Sequence, residues 1–254
     1  MRWPKVSKKG FELKGLGPQM LLLHGYTGSP YDLRPLGDFF HKQGFHVVAP
    51  LLKGHGEKPE SLHEVLAQDW FKQAKTVLKK FSKSRPIIVV GLSMGALMAL
   101  KLSTEEKIDA LVLCSAAFSL GVLAEITLAA AEIGLIDKKT SIKKYSGSDI
   151  ADPIAKEKTP AYGEMPIGGL LQFALVRKMA KQTLEKVECP IFLAFGQNDQ
   201  AIDTQSSREM IMSSVKSMIF AKNYEHSKHV ITLDYDKERL FLDIKRFLHM
   251  QLGI

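Results

Sequence analysis

Pro86-Ile87-Ile88-Val89-Val90-Gly91-Leu92-Ser93-Met94-Gly95 runs directly into the apolar stretch Ala96 to Leu102. The run ahead of Gly91 reads as a buried strand, and the alanines, leucines and methionine after Gly95 read as a helix. Between them lies Gly-x-Ser-x-Gly, a weak signal alone because glycine and serine are common residues. Its setting gives it content. A strand feeding the turn and a helix leaving it put Ser93 at a strained tip with its hydroxyl exposed. The flanking glycines remove side chains that would strike the neighbouring strand and helix. The helix start also directs backbone N–H groups at the place where negative charge would gather beside the serine. The ordinary alternative is a strand-to-helix turn with a capping serine.

Outward from this turn, Met20 to Leu23, Phe45 to Ala49, Ile87 to Val90, Ile108 to Cys114, Ile191 to Phe195 and Ser217 to Phe220 read as strands. Helical patterns lie between them at about Tyr31 to Gln43, Leu62 to Phe81, Met94 to Ser103 and Asp236 to Leu252. This alternation predicts a mostly parallel sheet covered on both faces, with chemistry at the carboxyl ends of the strands. From Ser115 to Glu188 the rhythm stops. That interval shows helical patterns at Leu120 to Leu135 and Gly169 to Gln182 but no strand, and it is far longer than an ordinary crossover. It reads as a helical cap over residues 116–187, inserted into a core made of residues 1–115 and 188–254.

A length of 254 residues suits one α/β domain carrying such an insertion. A membrane helix needs roughly 18 uninterrupted apolar residues, and the nearest run, Leu120 to Ile136, is broken by Glu125 and Glu132. Arg2, Lys5, Lys8 and Lys9 make the start basic, yet no apolar segment or cleavage site follows, so no secretory signal is expected. Cys114 and Cys189 abut apolar runs and read as free thiols in a reducing cytoplasm, with a disulfide as the alternative. The net charge of +8 permits peripheral contact with a lipid surface at most. The lysines are scattered, without the aromatic-interleaved basic stripe that nucleic-acid binding would need.

An exposed serine becomes a nucleophile when an imidazole takes its proton and a carboxylate fixes that imidazole's tautomer. With this kind of turn the chain order is serine, acid, histidine. His226, His229 and His249 follow Ser93; His249 falls in the last helical pattern, leaving His226 and His229 in the loop before it. The acid belongs after a late strand, where Asp199 is nearest the end of Ile191 to Phe195 and Asp203 is the reserve. Tyr26, in the loop after Leu21-Leu22-Leu23, and Met94 are the expected backbone N–H donors of an oxyanion hole. His24 and His55 read as loop-stabilising residues. No metal or other cofactor is expected: His24, His55 and His63 lack ligand spacing, and neither Cys-x-x-Cys nor a glycine-rich phosphate loop occurs.

Four blocks together resemble the bacterial carboxylesterase and monoacylglycerol lipase branch of the α/β-hydrolases. They are His24-Gly25-Tyr26-Thr27-Gly28-Ser29-Pro30, Gly54-His55-Gly56, Gly91-Leu92-Ser93-Met94-Gly95 and His229-Val230-Ile231-Thr232-Leu233-Asp234. The resemblance spans about residues 19–114 and 188–250 and leaves the insertion poorly matched. It implies Ser93 as nucleophile, Asp199 as acid, His229 rather than His226 as base, and Tyr26 as an oxyanion donor. One departure stands out: where such proteins commonly have glycine before the histidine, this chain has Lys228, which is less free to adopt a positive φ.

The expected protein is therefore an α/β-hydrolase, a mostly parallel central sheet flanked by helices with a helical cap, acting on a small-molecule ester through an acyl-enzyme. Short-to-medium acyl esters or monoacylglycerols are the expected substrates, with Leu123, Ile126, Leu170 and Phe173 of the insertion lining the acyl pocket. The same triad would serve a thioesterase or a carbon–carbon bond hydrolase, and the fold also permits a non-catalytic ligand receptor.

Overall fold

The computed structural model describes residues 6–254, so Arg2 and Lys5 of the basic start lie outside the described residues. Its strands are β1 (Phe11–Leu13), β2 (Gln19–Leu23), β3 (His46–Ala49), β4 (Ile87–Leu92), β5 (Ala110–Cys114), β6 (Ser141–Lys143), β7 (Glu164–Pro166), β8 (Ile191–Gly196) and β9 (Ile219–Tyr224). The helices are α1 (Arg34–His41), α2 (Ala67–Leu78), α3 (Met94–Ser103), α4 (Val122–Glu132), α5 (Pro153–Lys158), α6 (Ile167–Lys181), α7 (Thr204–Ser214) and α8 (Lys237–Leu252). All strands except β6 and β7 form a seven-stranded sheet in the order β1-β3-β2-β4-β5-β8-β9. β1 is antiparallel to β3, and every other pairing in this sheet is parallel.

The continuous apolar runs of β2, β4, β5 and β8 are explained by burial on both faces, since every residue in these strands is buried. On one face, Trp70 of α2, Leu97 of α3 and Val176 of α6 share a hydrophobic cluster with Leu21, Val89 and Leu111. On the other, Phe40 of α1 and Phe241 and Phe247 of α8 pack on Met20, Val90 and Phe192. Because β3 and β4 lie on opposite sides of β2, the connections leaving β2 and β4 part at their carboxyl ends. Sheets of this kind bind ligands at such a switch point.

The structure differs from the sequence expectation in several places. The interval between β5 and β8 does contain strands: β6 and β7 pair antiparallel, away from the main sheet. Each has only three residues, and Ser141-Ile142-Lys143 and Glu164-Met165-Pro166 carry too little apolar alternation to be seen. α7 was also hidden, because only Ser207 and Ile211 of its residues are buried. The helical pattern from Leu62 resolves into a 3-10 turn over Pro59–Leu62 and then α2, whose start is held by Asp69 accepting the Leu66 N–H at 3.3 Å. α6 packs on α3, so the segment between β5 and β8 contributes Leu170, Phe173, Val176 and Ala180 to the main core. Cys114 and Cys189 are both free; Cys114 is buried and Cys189 only partly so.

Candidate active site

Ser93 stands between β4 and α3 with φ 57° and ψ −117°, a backbone region that non-glycine residues seldom occupy. Its own N–H donates to the Cys114 carbonyl at 2.9 Å, which ties the strained tip to the neighbouring strand. The flanking glycines are forced by close approach. A Cβ on Gly91 would lie 2.3 Å from the Gly95 carbonyl carbon, and one on Gly95 would lie 2.0 Å from the Leu23 oxygen. Neither position has room for a side chain. Met94 opens α3, so its backbone N–H has no acceptor within the helix.

β2 and β4 end side by side, with Leu23 paired to Gly91, which brings the loop after β2 next to Ser93. That loop turns at Tyr26 and Thr27: Gly28 N–H donates to Gly25 O at 3.1 Å, and Thr27 has φ 63°. The Tyr26 hydroxyl donates to the Pro166 carbonyl, and its ring lies 5.8 Å from that of Phe173. His24 holds the loop from beneath, with Nδ1 on Gly25 O at 2.9 Å and Nε2 accepting Leu52 N–H at 3.1 Å. Burial lowers its pKa to about 4, which keeps the ring neutral as this bonding requires. His55 packs edge-on against it, 4.8 Å between centroids, and bonds Leu52 O at 3.2 Å.

The late strands deliver the remaining groups. His229 Nδ1 meets Asp199 Oδ2 at 2.7 Å, and the Asp199 side chain is fully buried. The other Asp199 oxygen accepts the N–H groups of Ala201 at 2.9 Å and Ile202 at 3.1 Å. With Nδ1 donating to the carboxylate, the neutral ring keeps Nε2 as an acceptor. Asp203 is engaged elsewhere, capping α7 by accepting Ser206 N–H at 3.0 Å and the Ser206 hydroxyl at 2.7 Å. His226 has a side chain 70% exposed and lies 3.4 Å from Asp236. His249 is exposed on α8. Burial alone would lower the His229 pKa, but Asp199, with a further contribution from Asp149, holds it above the ordinary histidine value; Lys144 acts weakly against them.

Several supporting residues were not foreseen. Asp149, between β6 and α5, accepts Gln200 N–H at 2.7 Å and His229 N–H at 3.4 Å, so it touches both the loop that carries Asp199 and the loop that carries His229. Ser115, at φ 48°, donates its hydroxyl to the His229 carbonyl at 2.7 Å. Asp234 accepts the N–H groups of Lys228 at 2.8 Å and of Ala151 and Asp152 at 2.8 and 2.9 Å, lacing the histidine loop to the insertion. Lys228 itself is not among the positive-φ residues, so the loop tolerates a side chain there. Its Nζ reaches Gln200 Oε1 at 3.1 Å and Asp149 Oδ1 at 3.5 Å.

Ser93 and His229 open into one cavity of about 580 Å³ between the strand ends and the inserted segment. Leu170 and Phe173 are buried in its wall, and Leu123, 77% exposed, forms part of its rim. Ile126 is 61% exposed and does not line the cavity, because its position on α4 turns it outward. Thr127, the next residue, lines the cavity instead.

A mostly parallel sheet with a serine at a strained strand-to-helix tip, and an aspartate–histidine pair on later strand loops, defines an α/β-hydrolase. Within that class, residues 18–236 match the family described as serine aminopeptidase, S33, and the chain belongs to it. It is 31% identical over 225 residues to a thermostable monoacylglycerol lipase of Bacillus sp. (strain H-257), covering 86% of this chain and 85% of that one. It is 27% identical over 249 residues to a carboxylesterase of Bacillus subtilis (strain 168), covering 96% and 97%. Among solved structures, that of a metagenome-derived lipolytic enzyme matches with a TM-score of 0.87 at 24% identity, covering 96% of this chain and 98% of that one. A soluble variant of the monoglyceride lipase of Saccharomyces cerevisiae matches at 0.81 and 16% identity, covering 99% and 96%. At these identities the structural likenesses bear on the fold.

Proposed function

We propose that this chain hydrolyses carboxylic esters through an acyl-enzyme on Ser93. The observation that carries the reading is the 2.7 Å bond to the buried Asp199 from Nδ1 of His229, which lines the same cavity as Ser93. His229 Nε2 takes the Ser93 hydroxyl proton as Oγ adds to the ester carbonyl, and Asp199 holds the tautomer and stabilises the imidazolium. The backbone N–H groups of Tyr26 and Met94 receive the oxyanion, a contribution on the order of 3 kcal/mol for each such donor. Collapse of the tetrahedral intermediate breaks the bond to the alcohol, which leaves with the proton from His229. Water then repeats the sequence in reverse, releasing the acid and restoring the Ser93 hydroxyl.

The segment 116–187 acts as a cap whose apolar wall receives the acyl chain, with Leu170 and Phe173 inside and Leu123 at the rim. The cavity volume and the activities named for the Bacillus relatives support short-to-medium acyl esters or monoacylglycerols as substrates. Two free thiols support a reducing compartment such as the cytoplasm. Among the described residues no helix is long and apolar enough to cross a membrane. The test is kinetic: the wild type is expected to hydrolyse monobutyrin and monocaprylin, and the Ser93→Ala protein to show neither activity while keeping its circular dichroism. Hydrolysis of both at wild-type rates by that variant would remove Ser93 from the reaction.

A further inference from the structure

Lys144 follows β6 and forms part of the wall of the Ser93 cavity, where its Nζ donates to the Thr27 hydroxyl at 2.9 Å. Among the described residues that hydroxyl is its hydrogen-bond acceptor, and no carboxylate forms an ion pair with it within 4.0 Å. An ammonium has three donors and no means of satisfying them itself. The carboxylates of the same wall are committed elsewhere. Asp32 accepts Ser29 N–H at 3.1 Å and the Thr159 hydroxyl at 2.9 Å; Asp149 accepts the Gln200 and His229 N–H groups. Lys144 is therefore a cation with donors to spare, in a cavity whose wall combines Leu170 and Phe173 with the engaged carboxylates of Asp32 and Asp149 and the exposed Lys143. Burial lowers the Lys144 pKa to about 8, with Asp32 opposing the shift, as expected of a cation short of compensating contacts.

We propose that Lys144 is an anion-binding subsite of this cavity, and that the favoured substrate is an ester bearing a carboxylate or phosphate group near the scissile bond. The inference rests on ester hydrolysis at Ser93. A buried charge-assisted hydrogen bond discriminates between charged and neutral ligands by about tenfold or more.

The experiment compares kcat/KM within matched pairs. On the acyl side the pair is ethyl butyrate and monoethyl succinate; on the alcohol side it is 1-monobutyrin and 1-butyrylglycerol-3-phosphate. The wild type is expected to prefer the anionic member of at least one pair by about tenfold, and the responding pair tells which arm of the ester, carboxylate or phosphate, meets the cation. Lys144→Met is expected to abolish that preference and Lys144→Arg to retain part of it. In the wild type the preference should also fade as pH rises through about 8, where the ammonium is lost. Asp32 and His229 are the charged groups that sense Lys144, and because His229 serves both members of a pair, its titration cancels in the ratio. Ratios in Lys144→Met equal to those of the wild type overturn the proposal, even if all rates fall together, for that pattern marks Lys144 as an anchor for Thr27 alone. A wild type that prefers the neutral member of both pairs overturns it as well. Turnover of the neutral esters reports separately on the ester reading, whose failure would appear as no hydrolysis of any substrate.

Discussion

Around Ser93 the backbone has no latitude. A Cβ at Gly95 would sit 2.0 Å from the Leu23 oxygen, and Met94 and Ala96 to Leu100 of α3 are 0% exposed. The inserted segment is built otherwise. α4 leaves Val122, Leu123 and Ile126 between 61% and 78% exposed, and the segment holds the site through polar contacts from Lys144, Asp149 and Asp152. The strand ends fix where reaction occurs by steric necessity. Residues 116–187 meet the site through hydrogen bonds between groups far apart in sequence, which on the proposed reading tune its electrostatics. Substitutions in the first region should therefore change rate by orders of magnitude, and those in the second should change pH dependence and substrate choice.

The largest effect belongs to Ser93→Ala, with kcat lower by roughly 10⁴- to 10⁶-fold and Tm within about 3 °C of the wild type. A loss below about a hundredfold would break the comparison at its strongest point. Asp199→Asn should follow at roughly 10³- to 10⁴-fold in kcat, because an amide cannot hold the imidazole tautomer or balance the imidazolium. Asp203→Asn, by contrast, alters the start of α7 and should cost at most about 1 kcal/mol of stability, measured by denaturant unfolding, with kcat nearly unchanged. Reversal of these two results would move the acid to Asp203.

Asp149→Asn tests whether the insertion tunes the imidazole. The expected loss in kcat/KM is about tenfold, as for a charge-assisted hydrogen bond removed from a partly buried site. The base must be neutral to act, and Asp149 helps hold the His229 pKa above its ordinary value. Removing that carboxylate lowers the pKa, so the acid limb of the kcat/KM–pH profile should move to lower pH. A limb that stays in place while kcat falls would reduce Asp149 to a structural clamp. The smallest effects belong to the cavity wall. Phe173→Trp should shorten the preferred acyl chain and change the ratio of long to short esters roughly two- to fourfold per carbon excluded. Ile126→Trp, pointing away from the cavity, should leave the chain-length profile unchanged.

The same contrast governs how much could be read from the sequence. The strand–turn–helix at Ser93, the order of serine, aspartate and histidine, and the alternation that makes the sheet are local or periodic, and they stand in the residues themselves. Asp149 and Ser115 could not be found that way, because they reach His229 from 80 and 114 residues away, and single aspartates and serines carry no pattern. β6 and β7 escaped because strands of three residues are too short to show a period. An apolar face of the insertion predicts Ile126 in the acyl pocket, but α4 is apolar on more than one face, and it is the Thr127 side that meets the cavity. Lys228 suggested an altered loop, yet the strain of this site sits at Thr27, Ser93 and Ser115 instead.

The most direct test of a Ser93 nucleophile activated by His229 and Asp199 is to react the protein with a fluorophosphonate and locate the adduct by peptide mass spectrometry. One phosphonate on the peptide carrying Ser93 is expected, forming rapidly in the wild type and slowly or not at all in His229→Ala and Asp199→Asn. An adduct on another residue, or labelling of Ser93 at the same rate in all three proteins, would contradict it.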